Sequence, residues 1–308
     1  MLARRHLRIR VLQTLYAFYQ NEKTNIANAQ KDLFNGTDRI YDLYLTLIQL
    51  LIELAHHEKL YMSDVSGKFL VSKKKYFRTL SKHPLIDWLC SDENVNKQLK
   101  DHKISLQDDT ETIKKVFYKI RTSAVYKEYT LEQEDINDAD WIVKLYKEDI
   151  QHSELLNSVL EEKNIWWAES IELAHTIVLK TIKNFFLGQK NLLPLYKDEE
   201  DDKAFMQKLL KETIANNDEL TKLISGRTTN WEVDRIALMD ILILKMALTE
   251  VMKFDHIPVK VSLNEYIDIS KDYSTPQSKA FINGIIDKIV GDLKADNRLT
   301  KTGRGLIE

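Results

Sequence analysis

The chain has 308 residues, of which 44 % are apolar and 30 % charged, and its formal net charge is −2. That length holds one large domain or two ordinary ones with a real core, and the near-neutral balance excludes a polycation, so any nucleic-acid site must arise from local charge segregation. A single cysteine, Cys90, excludes an internal disulfide; it follows Trp88-Leu89 and reads as a small packed residue. Without a secretory segment or an apolar stretch long enough for a bilayer, the chain reads as cytoplasmic with no membrane contact. Only eight Gly and four Pro interrupt it, which favours an all-α fold.

In chain order, the first helix is expected from about Arg5 to Gln20, with Leu7, Val11, Leu15 and Phe18 on one buried face. A short helix is expected over Ile26 to Phe34, stopped by the turn pair Asn35-Gly36, and a long one from Asp38 to Tyr61. Residues 65 to about 195 carry weaker signals, with helices expected near 110–129, 138–150 and 168–187. The acidic run Asp198–Asp202 opens a further helix carried by Phe205, Leu209, Leu210 and Ile214, and acids there suit the positive end of the helix dipole.

Thr229 with Glu232 forms a capping box, with Trp231 in the first turn. The helix after it is apolar nearly all round, from Ile236 to Leu248, as expected at the centre of a bundle. Asp240 and Lys245 interrupt it, so they must lie at its edge or find partners. Ser262 with Glu265 reads as a second capping box, and Thr275-Pro276 as the cap and first-turn proline of a last helix buried through Ile282, Ile285, Ile286, Ile289 and Val290. The tail after Lys294 is polar.

Residues 1 to 21 contain Arg4, Arg5, Arg8, Arg10 and His6 and no acid. On an ideal helix Arg5 and Tyr16 lie within about 20° of each other and about 16 Å apart along the axis, with Arg8 on the flank. Guanidinium groups pair with phosphates or stack on bases, and a tyrosine ring offers a stacking face, so this line suits a single strand. A second run, Lys68 to Lys82, interleaves Lys73, Lys74, Lys75 and Arg78 with Phe69, Tyr76 and Phe77 and extends the same chemistry. Catalysis finds little support. There is no Gly-rich phosphate loop and no His or Cys set with metal spacing, and His56-His57 point to different sides of a helix, so no cofactor, metal or catalytic residue is assigned.

The order Trp231, Arg235, Glu250, Ile257-Pro258, Asn264-Glu265 and Phe281-Ile-Asn283-Gly284 resembles the NusB family of bacterial transcription antitermination factors. The first helix, with Gln13-Thr14-Leu15-Tyr16, is similar to the family's start. The resemblance implies an all-α fold of NusB-like helical bundles with an inserted helical region: N-terminal helices over 1–35, an insertion over 36–195, a C-terminal bundle over 196–294 and a loose tail over 295–308. Either Asp38–Tyr61 or Asp202–Thr221 fits the family's connecting helix, so the insertion lies before or after it.

It further implies a transcription antitermination factor that binds boxA-type single-stranded RNA in nascent ribosomal RNA together with NusE, a small-subunit ribosomal protein, within the RNA polymerase antitermination complex. Carried over by motif, the RNA-facing residues are Arg4, Arg5, Arg8, Tyr16 and Phe281, joined by Gln277, which stands where some members carry an acid; His6 stands where many have arginine. Asp240 falls on the strip used toward NusE, while Asn264 and Asn283 bond across helix ends and Gly284 permits close helix approach. Two alternatives remain at this point. One is an RNA-modifying, methyltransferase-associated module, which lacks here any βαβ alternation. The other is a protein-only helical scaffold.

Overall fold

In a computed structural model, described for residues 1–21, 25–67, 78–131, 136–228 and 236–306, the chain is all-helical, with no strand among the described residues. It divides into two compact units. One takes Met1 and 38–195; the other takes 2–37 and 196–308.

The second unit contains α1 (Arg4–Gln20), the start of α2 (Ile26–Gly67), α10 (Glu199–Ala215), α11 (Asn217–Ser225), α12 (Leu238–Lys253), α13 (Val259–Tyr273) and α14 (Ser278–Ala295). At its centre is α12, packed by α1, α10, α11, α13 and α14. Every residue of α12 from Asp240 to Val251 is buried, as its all-round apolar sequence requires. Its two charges are satisfied inside. The Asp240 carboxylate accepts from the hydroxyls of Ser274 and Ser278, and Lys245 donates to Asn217 Oδ1 at 2.6 Å. Burial lowers the pKa of Lys245, against the opposing pull of Asp218. Helix α10 starts where the acidic run foretells, with Asp198 capping the Asp201 N–H at 3.1 Å.

The first unit contains the rest of α2 and α3 (Pro84–Ser91), α4 (Glu93–Asp101), α5 (Thr110–Thr122), α6 (Ala124–Leu131), α7 (Asp138–Leu145), α8 (Glu154–Lys163) and α9 (Ile171–Phe186). The long element expected over 110–129 is broken at Ser123, whose hydroxyl caps the Tyr126 N–H at 3.1 Å and so starts a new helix. A π-type segment, Tyr146–Gln151, continues α7. The carboxylate of Glu58, fully buried on α2, accepts from the N–H groups of Leu80 and Ser81 at 3.0 and 2.6 Å and from the Tyr126 hydroxyl. That one side chain ties together α2, the turn before α3, and α6, and its acceptor capacity is used as burial demands.

Several expectations are corrected. Asn35-Gly36 does not stop a helix: α2 runs through it, because Leu33 and Ile40 keep a buried face on both sides and the Thr37 hydroxyl donates to Leu33 O at 2.7 Å. Ser262 is not a cap. Pro258 precedes the first residue of α13, and the Ser262 hydroxyl points to Glu250 instead. Asn283 bonds within its own helix, to Asp287 at 3.1 Å, and Asn264 is exposed, so neither bridges helix ends. A Cβ on Gly284 would meet nothing within 4 Å, so among the described residues no helix approaches there. Cys90 is exposed rather than packed. The capping box of Thr229 and Glu232, with Trp231 and Arg235, lies outside the described residues, as do Lys68, Phe69, Lys73–Lys75, Tyr76 and Phe77. Of that basic run Lys82 is described, in the turn before α3, and so is Arg78. It lies 3.7 Å from Asp138 and over the Tyr129 ring at 5.2 Å.

Candidate nucleic-acid interface

Helix α1 is stapled into its bundle by Leu7, Val11, Leu12 and Leu15, all fully buried or nearly so. That stripe fixes the opposite line, Arg5, Ile9, Gln13 and Tyr16, at the surface edge. Tyr16 is 39 % exposed, so its ring has a free face. Gln13 donates to the Tyr273 hydroxyl at 3.3 Å and so sets the end of α13 beside the middle of α1. Four residues after Tyr273, Gln277 is exposed, and Phe281 in the first turn of α14 is half-buried. The turn between α13 and α14 is held by Asp240 through Ser274 and Ser278, with Thr275 and Ser278 bonded at 2.8 Å. Asp240 itself is only 6 % exposed.

The arginines behave differently from one another. Arg5 is half-exposed and bound on one side by Glu265, at 3.0 and 3.1 Å, and by Asp268 at 2.8 Å. Its pKa rises above the usual guanidinium value, chiefly through the bond to Glu265. Arg4 is half-exposed too, paired with Asp201 and Asp202, and stacked over the Phe205 ring at 4.4 Å. Arg8 points inward. It is 3 % exposed and donates to both oxygens of Glu250, at 2.7 and 2.8 Å. The flank position expected for Arg8 is therefore a core position, because α12 supplies a buried carboxylate at that height. His6 adds no charge to the line: its Nδ1 accepts from the Ala3 N–H at 3.0 Å, and burial with Arg5 nearby lowers its pKa.

At the N-terminal end of this line an open groove of about 1000 Å³ lies between α1, α10 and α13. Phe205, Phe254, Ile257, Pro258 and Val261 give it an apolar floor, and Arg4, Arg5 and Lys208 give it a basic rim. The carboxylates that hold these arginines, Asp201, Asp202, Glu265 and Asp268, were not visible as partners in the sequence. Glu265 reads locally as a cap, and the others as helix surface. Among the described residues no cluster of His, Cys, Asp or Glu could hold a metal ion, and no helix is long and apolar enough to cross a membrane.

An all-helical bundle that leaves guanidinium and phenol groups of α1 and a phenyl group of α14 half-exposed is the class of protein that the structure defines. Comparison with known proteins narrows the class. The NusB family model matches residues 177–291. The transcription antitermination protein NusB of Salinibacter ruber is 48 % identical over 103 residues, covering 33 % of this chain and 64 % of that protein. The protein of the same name from Chloroherpeton thalassium is 38 % identical over 106 residues, 34 % of this chain and 50 % of that one. The one from Listeria monocytogenes is 34 % identical over 133 residues, 43 % of this chain and 94 % of that one. The chain belongs to the NusB family. It spans only about half to two thirds of the first two relatives, and much of it lies outside the matched segment. No solved structure matches it.

Proposed function

We propose that this protein is a transcription antitermination factor that binds boxA-type single-stranded RNA in nascent ribosomal RNA together with NusE, as part of the RNA polymerase antitermination complex. The reading is carried by the kinship with an antitermination protein along 94 % of that relative's length. The half-exposed edge of α1 and α14 supports it. Arg4 and Arg5 contact phosphates, Tyr16 and Phe281 stack on bases, and Gln277 bonds a base edge or sugar. Arg8 acts from inside, by holding Glu250 and Glu265 and so the side of α1 from which Arg5 projects. The role of Asp240 toward NusE is likewise indirect, through the turn it fixes between α13 and α14.

The mechanism is equilibrium binding, with no covalent step. Phosphates replace Asp201, Asp268 and Glu265 around Arg4 and Arg5, an exchange of one charged partner for another. We assign this activity to residues 1–35 and 196–294, with 36–195 as an insertion and 295–308 as a tail.

The test is binding of a boxA-like RNA against a scrambled RNA, with and without NusE, over a range of salt. The expected slope of log K against log salt is about −0.7 per phosphate neutralised. Preference for boxA, strengthened by NusE and weakened by Arg5→Ala or Phe281→Ala, is the expected result. Equal weak binding to both RNAs, unchanged by NusE, would overturn the proposal in favour of a protein-only scaffold.

A further inference from the structure

We infer that the exposed face of α5, with Tyr61 of α2, is a separate contact for single-stranded RNA, built into the unit that lies mostly outside the family match.

Helix α5 buries Ile113, Val116, Phe117 and Ile120 and turns its other side to solvent. That outer side carries Lys114, Lys115, Lys119 and Arg121, against a single acid on the helix, Glu111. Among these cations sits Tyr118, 43 % exposed. The guanidinium of Arg121 lies 4.1 Å from the centre of the Tyr61 ring and 5.3 Å from that of Tyr118. Arg4, Arg5, Arg8, Arg227 and Arg298 of the other unit all meet carboxylates. Arg121 meets none among the described residues; two aromatic rings hold it instead.

This difference has a chemical consequence. A guanidinium held by aromatic rings, with no carboxylate on it, keeps N–H donors available to a phosphate. A guanidinium in a carboxylate fork has two of them engaged and its charge already paired. Tyr118 presents ring surface beside it, and Lys115 and Lys119 stand one helical turn apart on the same solvent side. Cations spaced along a helix with an exposed ring among them match a backbone of phosphates with unstacked bases. An acidic peptide would satisfy the lysines but would leave the ring pair without a role. Single-stranded RNA uses both. The inference shares its RNA partner with the function proposed above, but it rests on different residues and fails separately.

The experiment uses the full chain and a fluorescent oligouridylate of about twelve nucleotides, within the usual site size for single-strand binders. Fluorescence anisotropy is read for Tyr118→Ala, Arg121→Ala and Lys115→Glu, each alone and in an Arg5→Ala background. A 4-thiouridine version of the probe is photocrosslinked and the adducts are mapped. Lys115 is exposed, so its charge reversal leaves the core untouched and keeps the test valid if the ring variants fold poorly. Expected are about five-fold or greater weakening by Tyr118→Ala and by Lys115→Glu, in both backgrounds, and adducts on the α5 peptide. Affinities unchanged within about two-fold, with adducts confined to α1 and α14, would overturn this inference and leave the proposed function standing. Displacement of the probe from α5 by polyglutamate, with polyglutamate bound equally well by Tyr118→Ala, would overturn it in favour of an acidic peptide. Adducts and losses at α5, with Arg5→Ala silent, would uphold it while removing the α1 edge from the RNA path.

Discussion

Arg8 of α1 and Glu250 of α12 form a fork-to-fork ion pair in the core of the second unit, with donor–acceptor distances of 2.7 and 2.8 Å. Glu250 is fully buried and also accepts from Ser262 at 2.7 Å and from Tyr266 at 3.0 Å, so both of its oxygens are satisfied twice. The pair joins three helices at one point and sets the rotation of α1. A buried pair with such geometry contributes little net stability over an apolar substitute, but breaking it strands a charge. Arg8→Ala or Glu250→Ala should each cost about 3–5 kcal/mol, and the double variant less than the sum. Urea denaturation of the four proteins closes that cycle. Arg8→Lys should also destabilise, because an ammonium cannot engage both oxygens. If Arg8→Ala were as stable as the parent yet lost RNA binding, Arg8 would be a direct phosphate contact after all.

The carboxylates around Arg5 make a second expectation. Asp268 is half-exposed and shares Arg5 with Glu265, while Lys271 also reaches it. In the proposed mode, RNA phosphate must displace this acid. Asp268→Asn should therefore tighten boxA-type RNA binding by about two- to four-fold at low salt, with the gain fading as screening rises. Filter binding at two salt concentrations reads it. Weaker binding by Asp268→Asn would show that the acid orients Arg5 rather than competing for it.

The first unit carries a pH liability at His175. Its ring is buried on α9, with Nδ1 accepting from the Tyr146 hydroxyl at 2.8 Å and Nε2–H donating to Asn157 Oδ1 at 3.4 Å. Burial, with His152 adding to it, lowers its pKa to about 4. The folded pKa is below the unfolded value of about 6.5, so the unfolded chain takes up the proton first. The stabilising contribution is complete above about pH 6.5 and is lost as pH falls from there toward 4, to a total of about 3 kcal/mol. Urea midpoints at pH 7.5 and 5 should differ more for the parent than for His175→Gln. Equal pH dependence of the two would assign the loss to other groups, of which His83, also lowered mainly by burial, is the next.

What the sequence made legible follows from how local each signal is. α1 is readable because its apolar positions Leu7, Val11 and Leu15 repeat at the helical period, α12 because its run is apolar nearly all round, and α10 because Asp198 caps it from the next residue outside. α3, α4 and α8 are short, eight to ten residues each, and their caps, His83, Asp92 and Ser153, do not stand out in a polar stretch. The candidate site was legible as a list of cations and rings but not as a set of pairs. Glu250, Glu265, Asp268 and Asp201 are 197 to 263 residues from the arginines they hold, and only the folded bundle brings them together. Tyr61 with Arg121, sixty residues apart, escaped for the same reason.

Gly284 gives the sharpest test of a motif read without its surroundings. In the sequence, Gly284 reads as permitting close helix approach, which makes the glycine irreplaceable. In the structure it lies in the second turn of α14, has no positive φ, and leaves open space where a Cβ would stand. A helical glycine costs backbone entropy with no compensating contact, so Gly284→Ala should raise stability by up to about 1 kcal/mol. A thermal melt detects this as a rise in Tm. Because a methyl group there meets nothing among the described residues, a loss of binding without a loss of stability points to a partner that approaches the backbone. Unchanged or higher stability with weakened RNA or NusE binding would place that partner beside Phe281, on the face where the α14 residues of the proposed site lie. Lower stability would mean that α14 packs more closely at Gly284 than the structure shows, and would restore the close-contact reading of the motif.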